Sequence, residues 1–187
     1  MSLAGARVPR PALSGRVRAA LDGGAAVLVA GAGYGKTFLV EEALEGRTAA
    51  WMTCRGTDGD AERLLLAGLE AVRSAVPGVA DVLFERVQGS SPTDVRAVTR
   101  ALAGELDALL VEPLALVIDD AEELAGTEGA VDLVNELIGS EPRRLRIVVC
   151  SRRPLALSLA RLEASGRLLR LGESDLAFSA EETAELL

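Results

Sequence analysis

A glycine-rich segment, residues 30–37 (AGAGYGKT), has the residue types and spacing of a loop that binds phosphate. Gly31, Gly33 and Gly35 allow the backbone to curl so that its N–H groups point inward. A helix that follows directly adds the positive end of its dipole, and the resulting nest suits a diphosphate group. The common motif has glycine at its first position, where this sequence has Ala30.

Two side chains at the end of this loop supply the polar chemistry that a nucleotide requires. Lys36 would reach the β- and γ-phosphates as a point charge, and the Thr37 hydroxyl would ligate Mg²⁺. The simpler alternative is a glycine-rich turn that carries one exposed lysine. The residues predicted to bind nucleotide here are Gly31, Ala32, Gly33, Tyr34, Gly35, Lys36, Thr37 and Phe38.

A pair of acidic residues follows the apolar run at residues 114–118. In nucleotide hydrolases such a strand delivers a carboxylate to the metal, which makes Asp119 the predicted metal ligand beside Thr37. Asp120 is either a catalytic residue that polarises the attacking water or a solvated loop residue. The next two acids, Glu122 and Glu123, are predicted to be a solvated pair at a helix start.

Arg152 lies just past the predicted strand 145–150, where a cation can sense or stabilise the charge of a γ-phosphate. An ordinary surface arginine fits the same position, so both interpretations stay open, and Arg153 is the weaker candidate. The predicted catalytic set is therefore Lys36, Asp120 and Arg152. The arginines at the start of this predicted strand are predicted to be ordinary solvated charges: Arg143, Arg144 and Arg146.

The composition limits the classes of function. The 187 residues carry a formal net charge of -8, which argues against nucleic-acid binding by this chain, because such affinity rests on surplus Lys and Arg. The sequence has no His and two Cys, which excludes the usual zinc sites and makes Mg²⁺ the natural candidate for a bound metal. No run of about 18 uncharged apolar residues is present, so we expect a cytoplasmic protein without a membrane partner.

Short apolar runs alternate with amphipathic segments, which predicts an α/β fold of parallel strands joined by helical crossovers. Hydrophobic residues make up 49% of the chain and aromatics 3%, which suits an aliphatic sheet between two helix layers. The predicted strands are 25–30, 48–54, 114–118, 145–150 and 168–171. The predicted helices are 12–21, 37–44, 61–76, 92–110, 130–138 and 155–164. Residues 79–89 fit neither pattern clearly.

The carboxyl ends of parallel strands form one edge of a sheet, and ligands of such folds bind there. Three segments follow predicted strands at this edge: the loop 30–37, the acidic pair 119–120, and residues 151–153 (SRR). We therefore expect these three segments to meet.

The end of the sequence predicts the start of another domain. Ser179 and Glu182 have the spacing of a capping box, and the sequence ends shortly after it, which suggests a longer protein. We expect residues 1–24 to form an arm and the first helix, and residues 25–178 to form the nucleotide-binding core. Residues 179–187 would begin a downstream helical domain.

Together these residues resemble the nucleotide-binding domain of the signal-transduction ATPases with numerous domains (STAND), in the branch of large LuxR- and MalT-like bacterial transcriptional activators. The loop of that family is roughly Ala-Pro-Ala-Gly-Tyr/Phe-Gly-Lys-Thr, so Ala30 matches the family and Gly31 departs from it. The other segments that carry the resemblance are 8–11 (VPRP), 50–51 (AW), 117–120 (VIDD), 150–152 (CSR) and 176–182 (LAFSAEE).

The resemblance implies a P-loop NTPase three-layer sandwich of the additional-strand type, with strand order 5-1-4-3-2. It implies that ATP or ADP binds with Mg²⁺, that the protein rests with ADP and is active with ATP, that Val8 and Pro9 lie against the adenine, and that Arg152 touches the γ-phosphate. In that order one strand separates Cys54 from Cys150 by about 10 Å, too far for a disulfide.

The same resemblance implies a winged-helix domain after residue 178, DNA binding by a domain far downstream, and self-association of the full-length ATP-bound protein. Three functions stay open. The first is a regulatory ATPase whose slow hydrolysis times a conformational switch. The second is a phosphotransferase for a small molecule, with residues 78–94 and Arg86 as the candidate lid. The third is a module that retains nucleotide without hydrolysing it. No guanine-reading Asn-Lys-x-Asp motif is present, which favours ATP.

Overall fold

The computed structural model describes residues 8–56, 60–89 and 93–178, without the side chain of Glu128. The described strands are β1 (Ala25–Val29), β2 (Ala49–Thr53), β3 (Leu114–Asp119), β4 (Leu145–Ser151) and β5 (Leu168–Leu171). They form one parallel sheet in the order β2-β3-β4-β1-β5. This is the predicted order 5-1-4-3-2 counted from the other edge, so the predicted architecture is confirmed.

Helices cover both faces of the sheet. They are α1 (Pro11–Ala20), α2 (Lys36–Ala43), α3 (Ala61–Ala75), α4 (Asp81–Gly89), α5 (Val95–Leu109), α6 (Glu128–Gly139), α7 (Ala160–Ala164) and α8 (Glu173–Leu176), with a 3-10 turn at Ala121–Leu124. Within the described ranges, no helix has the length and apolar character that a membrane span requires.

The structure describes the start of α5 but not the start of the helix predicted at Ser179. The side chain of Asp94 accepts the N–H of Ala97, so α5 begins two residues beyond Thr93 rather than at the predicted Pro92, which lies outside the described residues. The predicted capping box at Ser179 and Glu182 also lies outside them. The segment that fitted neither pattern is the helix α4.

The three central strands β1, β3 and β4 are buried on both faces along most of their length, which explains why they are largely apolar, whereas the edge strands β2 and β5 are partly exposed. Successive residues of a strand point to opposite faces. Val27 of β1 and Leu116 of β3 pack towards the layer formed by α3 to α6, whereas Leu28 and Val117 pack towards α1 and α2. The sheet is therefore held rigidly between two cores, and its carboxyl edge is a fixed platform.

The predicted helix 155–164 is wrong in its first half, because only Ala160–Ala164 is helical. Asn135 of α6 donates its side-chain amide to Ala156 O at 3.3 Å, and its side-chain oxygen accepts the N–H of Ser158 at 2.7 Å. Together with the short local bonds from Leu157 N–H to Leu155 O and from Leu159 N–H to Leu157 O, these bonds to a distant side chain hold the stretch in a non-helical course.

Arg146 corrects the prediction of solvated arginines before β4. Its side chain is half-buried, donating from Nε to Leu21 O at 3.0 Å and from Nη1 to Arg143 O at 3.0 Å. Burial lowers the pKa of its guanidinium. Arg146 thus joins the end of α1 to the start of β4, whereas the side chain of Arg143 is exposed as predicted.

The two cysteines are buried and are not joined in a disulfide, as predicted. Cys54 follows β2 and Cys150 lies in β4, with β3 between them. Burial raises the pKa of the Cys150 thiol, so this side chain stays protonated as a small apolar core group.

Candidate phosphate-binding site

The glycine-rich loop connects β1 to α2 at the carboxyl edge of the sheet. Ala30 is buried, and its N–H donates to Ser151 O at 3.1 Å, which ties the loop to the end of β4. Gly33 and Gly35 have φ values of 83° and 72°, in the left-handed region that favours glycine. Their positions bend the backbone into α2, whose first turn faces the loop.

The other residues that were predicted to bind nucleotide differ in how far they are exposed to solvent. Ala32 and Thr37 are exposed, whereas Gly31 and Phe38 are half-buried. Tyr34 packs against the core between the sheet and α1 and α2. The backbone is thus presented to solvent while Tyr34 fixes one side of the loop.

Lys36 places its positive charge at the start of the loop. Its ammonium donates to Ala30 O at 2.6 Å and to Gly31 O at 2.9 Å. The side chain is therefore folded back across the loop rather than extended into solvent. A cation in this position, next to the first amides of a helix, favours an anionic ligand.

Thr37 and Asp119 come together although they lie far apart in sequence. The Thr37 hydroxyl donates to Asp119 Oδ2 at 2.9 Å. Two neighbouring oxygens of an octahedral Mg²⁺ shell are separated by about 2.9 Å, because each lies about 2.1 Å from the ion. The donor types and their separation therefore fit Mg²⁺, which commonly takes only one or two protein ligands beside phosphate and water.

Asp120 has an unusual backbone for a residue with a side chain. Its φ is 50°, and its N–H donates to Asp119 Oδ1 at 3.0 Å. This bond orients the Asp119 carboxylate, and the left-handed turn brings the Asp120 carboxylate within 3.6 Å of Arg152 Nη2. Strained backbone of this kind clusters at functional sites. The predicted pair Asp120 and Arg152 is thus brought together.

Glu122 is not the solvated residue that the sequence predicted. Its side chain is 5% exposed; Oε2 accepts the N–H of Arg152 at 2.8 Å, and Oε1 lies 2.9 Å from Arg152 Nε. Burial raises the pKa of this carboxyl, but the backbone N–H groups of Arg152 and Glu122, the Arg152 guanidinium and the Ser151 hydroxyl together outweigh burial, so the pKa is lowered overall. Ala121 and Leu124 enter the core and draw Glu122 inward, whereas Glu123 is exposed as predicted.

Glu173 is a second neighbour of the loop that the sequence pattern did not reveal. The N–H of Gly31 donates to Glu173 Oε1 at 3.2 Å. Because β5 lies beside β1, the residues that follow these two strands emerge next to each other. The predicted strand order, which places β5 beside β1, could therefore have indicated that residues after β5 lie next to the loop.

The N-terminal arm lies beside α2 and the segment after β5. Val8 is buried and Pro9 exposed. The next residue, Arg10, donates its N–H to Glu42 Oε2 at 2.9 Å and its guanidinium to Leu176 O at 2.8 Å. The contacts of Val8 and Pro9 with adenine remain a prediction.

No protein-family model matches the sequence. The fold is similar to that of a Walker-type ATPase of Pyrococcus abyssi, with 16% identity, a TM-score of 0.60, and coverage of 96% of this chain and 57% of that one. It is also similar to the Aeropyrum pernix ORC1 protein in complex with DNA, with 20% identity, a TM-score of 0.61, and coverage of 99% and 51%. A chain of the Drosophila ORC bound to AT-rich DNA and Cdc6 gives 13% identity, a TM-score of 0.55, and coverage of 92% and 59%.

These likenesses identify the fold as the three-layer α/β sandwich of the P-loop ATPases, in agreement with the strand order. This chain spans between 51% and 59% of the length of the three chains. At these levels of identity, the likeness concerns the fold, and the chemistry must be argued from the site itself.

Proposed function

We propose that this chain is an ATP-binding and slowly hydrolysing switch domain of a signal-transduction ATPase. The observation that carries the proposal is the 2.9 Å contact between Thr37 and Asp119, directly beside the loop over which Lys36 is folded. The loop backbone and Lys36 would hold the phosphates, and Thr37 with Asp119 would hold Mg²⁺. The bound Mg²⁺ nucleotide supplies a phosphoryl group that can be transferred to water.

The remaining roles belong to the two acids and the arginine at the same edge. Asp120 would orient the attacking water and accept its proton, and Arg152 would stabilise charge on the terminal phosphate. In the structure Asp120 and Arg152 form an ion pair at 3.6 Å. A general base engaged in this way must leave its partner before it acts, which supports slow turnover.

The candidate lid gives the phosphotransferase hypothesis no support. Leu83 and Val87 of α4 are buried in the core that also contains α3, and the N–H of Ala80 donates to Glu105 on α5 at 2.9 Å. Residues 81–89 are therefore a packed part of the helix layer, with Arg86 exposed on its surface.

The narrower assignment to a STAND-type transcriptional regulator is part of the proposal and rests on the motif resemblance. The net charge of -8 supports a division of labour, in which this piece binds nucleotide and a domain outside the 187 residues binds DNA. In the same proposal, residues 179–187 begin a winged-helix domain, ADP marks the resting state, and the longer ATP-bound protein self-associates.

Phosphate release by Asp120→Asn tests the hydrolytic step. Asparagine tolerates the left-handed backbone at this position, so the change removes the base and keeps the fold. We expect release to fall by about 100-fold or more while ATP affinity is retained. Glu123→Gln, an exposed acid of the same turn, is the matched control and should keep the wild-type rate. Unchanged release in Asp120→Asn would contradict the role of Asp120 and favour a different base.

The phosphotransferase alternative has its own assay. Incubation of the protein with labelled ATP and a panel of small hydroxyl and carboxylate compounds should yield only inorganic phosphate. Stoichiometric transfer of label to any acceptor would overturn the switch function.

A further inference from the structure

Arg152 is held by two carboxylates in unequal ways. Glu122 is buried; its Oε2 accepts the N–H of Arg152 at 2.8 Å, and its Oε1 forms an ion pair with Nε at 2.9 Å but accepts no hydrogen bond within the described residues. Asp120 is partly exposed and lies 3.6 Å from Nη2. The closer ion pair, with the more buried carboxylate, is therefore at the base of the guanidinium, and the longer, more solvated one is at its tip.

We propose that Glu122 is a positioning residue that anchors Arg152 through Nε and so directs the Nη groups towards the terminal phosphate of a nucleoside triphosphate. This inference rests on the proposed function, because it assigns to Glu122 the preference of the site for triphosphate over diphosphate. Arg152 would exchange its contact with Asp120 for the phosphate while its contact with Glu122 persists.

The geometry of the guanidinium supports this division. The group is planar and rigid, so fixing Nε also fixes the direction of the two Nη groups. The backbone beneath it is held as well, because Ser151, which is 1% exposed, donates its hydroxyl to Arg153 O at 2.6 Å. The backbone of Arg152 and the Nε end of its side chain are therefore both held in place.

The energetic cost of breaking each ion pair decides whether Arg152 leaves Asp120 or Glu122 when a phosphate binds. Removing the cation from a buried carboxylate leaves an uncompensated charge, which is strongly unfavourable. An exposed pair contributes little, since water replaces the partner. A γ-phosphate thus competes with Asp120 for Arg152, not with Glu122. The exchange also frees the Asp120 carboxylate to accept a proton from water.

Binding of two nucleotides to Glu122→Gln tests the inference. The glutamine oxygen can still accept the Arg152 N–H, but the charge that anchors Nε is gone. With Mg²⁺ present, titration calorimetry should show that affinity for β,γ-imido ATP falls about tenfold, because the charge of Glu122 no longer orients the guanidinium. ADP affinity should stay within about twofold of wild type, because the diphosphate does not reach Arg152. Glu123→Gln should change neither affinity.

A second pair of variants keeps the test decisive if Glu122→Gln folds poorly. Arg152→Lys replaces a side chain that is 55% exposed, and lysine lacks the rigid fork. It should lose the same preference, and the double variant should lose no more than either single one. A wild-type preference in either single variant, or an equal loss of both nucleotides in Glu122→Gln, would overturn the inference.

Nucleotide binding by the wild-type protein distinguishes failure of the proposed function from failure of the role of Glu122. If the wild-type protein binds neither nucleotide, the proposed function fails, and the inference fails with it. If it binds both and the preference ignores Glu122 and Arg152, only the inference fails.

Discussion

Thr37 and Asp119 are separated by 82 positions in sequence, yet their side chains form one oxygen pair. Both follow buried strands that end at the same edge of the sheet. The local pattern alone predicts these two residues and Lys36, because a glycine-rich turn and an apolar strand ending in Asp have recognisable compositions. The sequence pattern could not predict that Glu122 is buried and Glu123 exposed, because this difference depends on how the 3-10 turn packs against the core.

Thr37→Val tests the oxygen pair. Valine has nearly the same shape but no hydroxyl, so the Mg²⁺ dependence of ATP binding should weaken. We expect ATP affinity in Mg²⁺ to fall by at least about tenfold, with little change in the presence of EDTA. Thr48→Val, at an exposed position before β2 and on the opposite edge, is the control. Equal Mg²⁺ dependence in all three proteins would exclude Thr37 as a ligand.

The strands were the most predictable elements, because burial on both faces leaves a continuous apolar run in the sequence. The first half of the segment 155–164 was not predictable, because the side chain of Asn135 on α6 bonds Ala156 and Ser158 and holds this stretch in a non-helical course. The predicted strand order placed β5 beside β1, but the closeness of their backbones at the start of β1 was hidden. It depends on Gly24, where an added Cβ would lie 1.9 Å from Arg167 O.

Gly24→Ala should therefore destabilise the edge at β5. The N–H of Ala25 donates to Arg167 O at 2.9 Å, so the two backbones cannot move apart without losing this bond. We expect the free energy of unfolding to fall by about 3 kcal/mol in urea titrations. Gly23→Ala is the neighbouring control, because an added Cβ there meets nothing within 4 Å. Similar stabilities of the two variants would contradict the close approach.

In the molecule as a whole, the beginning and end of the described chain meet beside the loop. Arg10 is 7% exposed, donates to Leu176 O and Ala177 O, and lies 5.0 Å from the ring of Phe178. The same C-terminal segment reaches the loop through Glu173. The strand order predicts that the segment after β5 passes the loop. Only the structure shows that the N-terminal arm is hydrogen-bonded to this segment.

Arg10→Met should loosen this junction. Methionine fills the space but leaves two carbonyls without their cationic donor, so we expect a loss of about 2 kcal/mol in the free energy of unfolding. Arg16→Met is the matched control on α1. Arg16 is half exposed, and its 3.6 Å ion pair with Asp175 is partly solvated. Loss of this pair should therefore lower the free energy of unfolding by less than about 0.5 kcal/mol. Equal losses would show that the buried arginine has no special part in joining the two ends.

The central claim is that the loop, Lys36 and the Thr37–Asp119 pair bind a Mg²⁺ nucleotide. Calorimetric titration of the wild-type protein and Lys36→Met with ATP, with and without Mg²⁺, tests it most directly. We predict saturable binding of one ATP by the wild type, strengthened by Mg²⁺ and weakened by about 100-fold in the variant. The same affinity in both proteins, or no binding by the wild type, would contradict the claim.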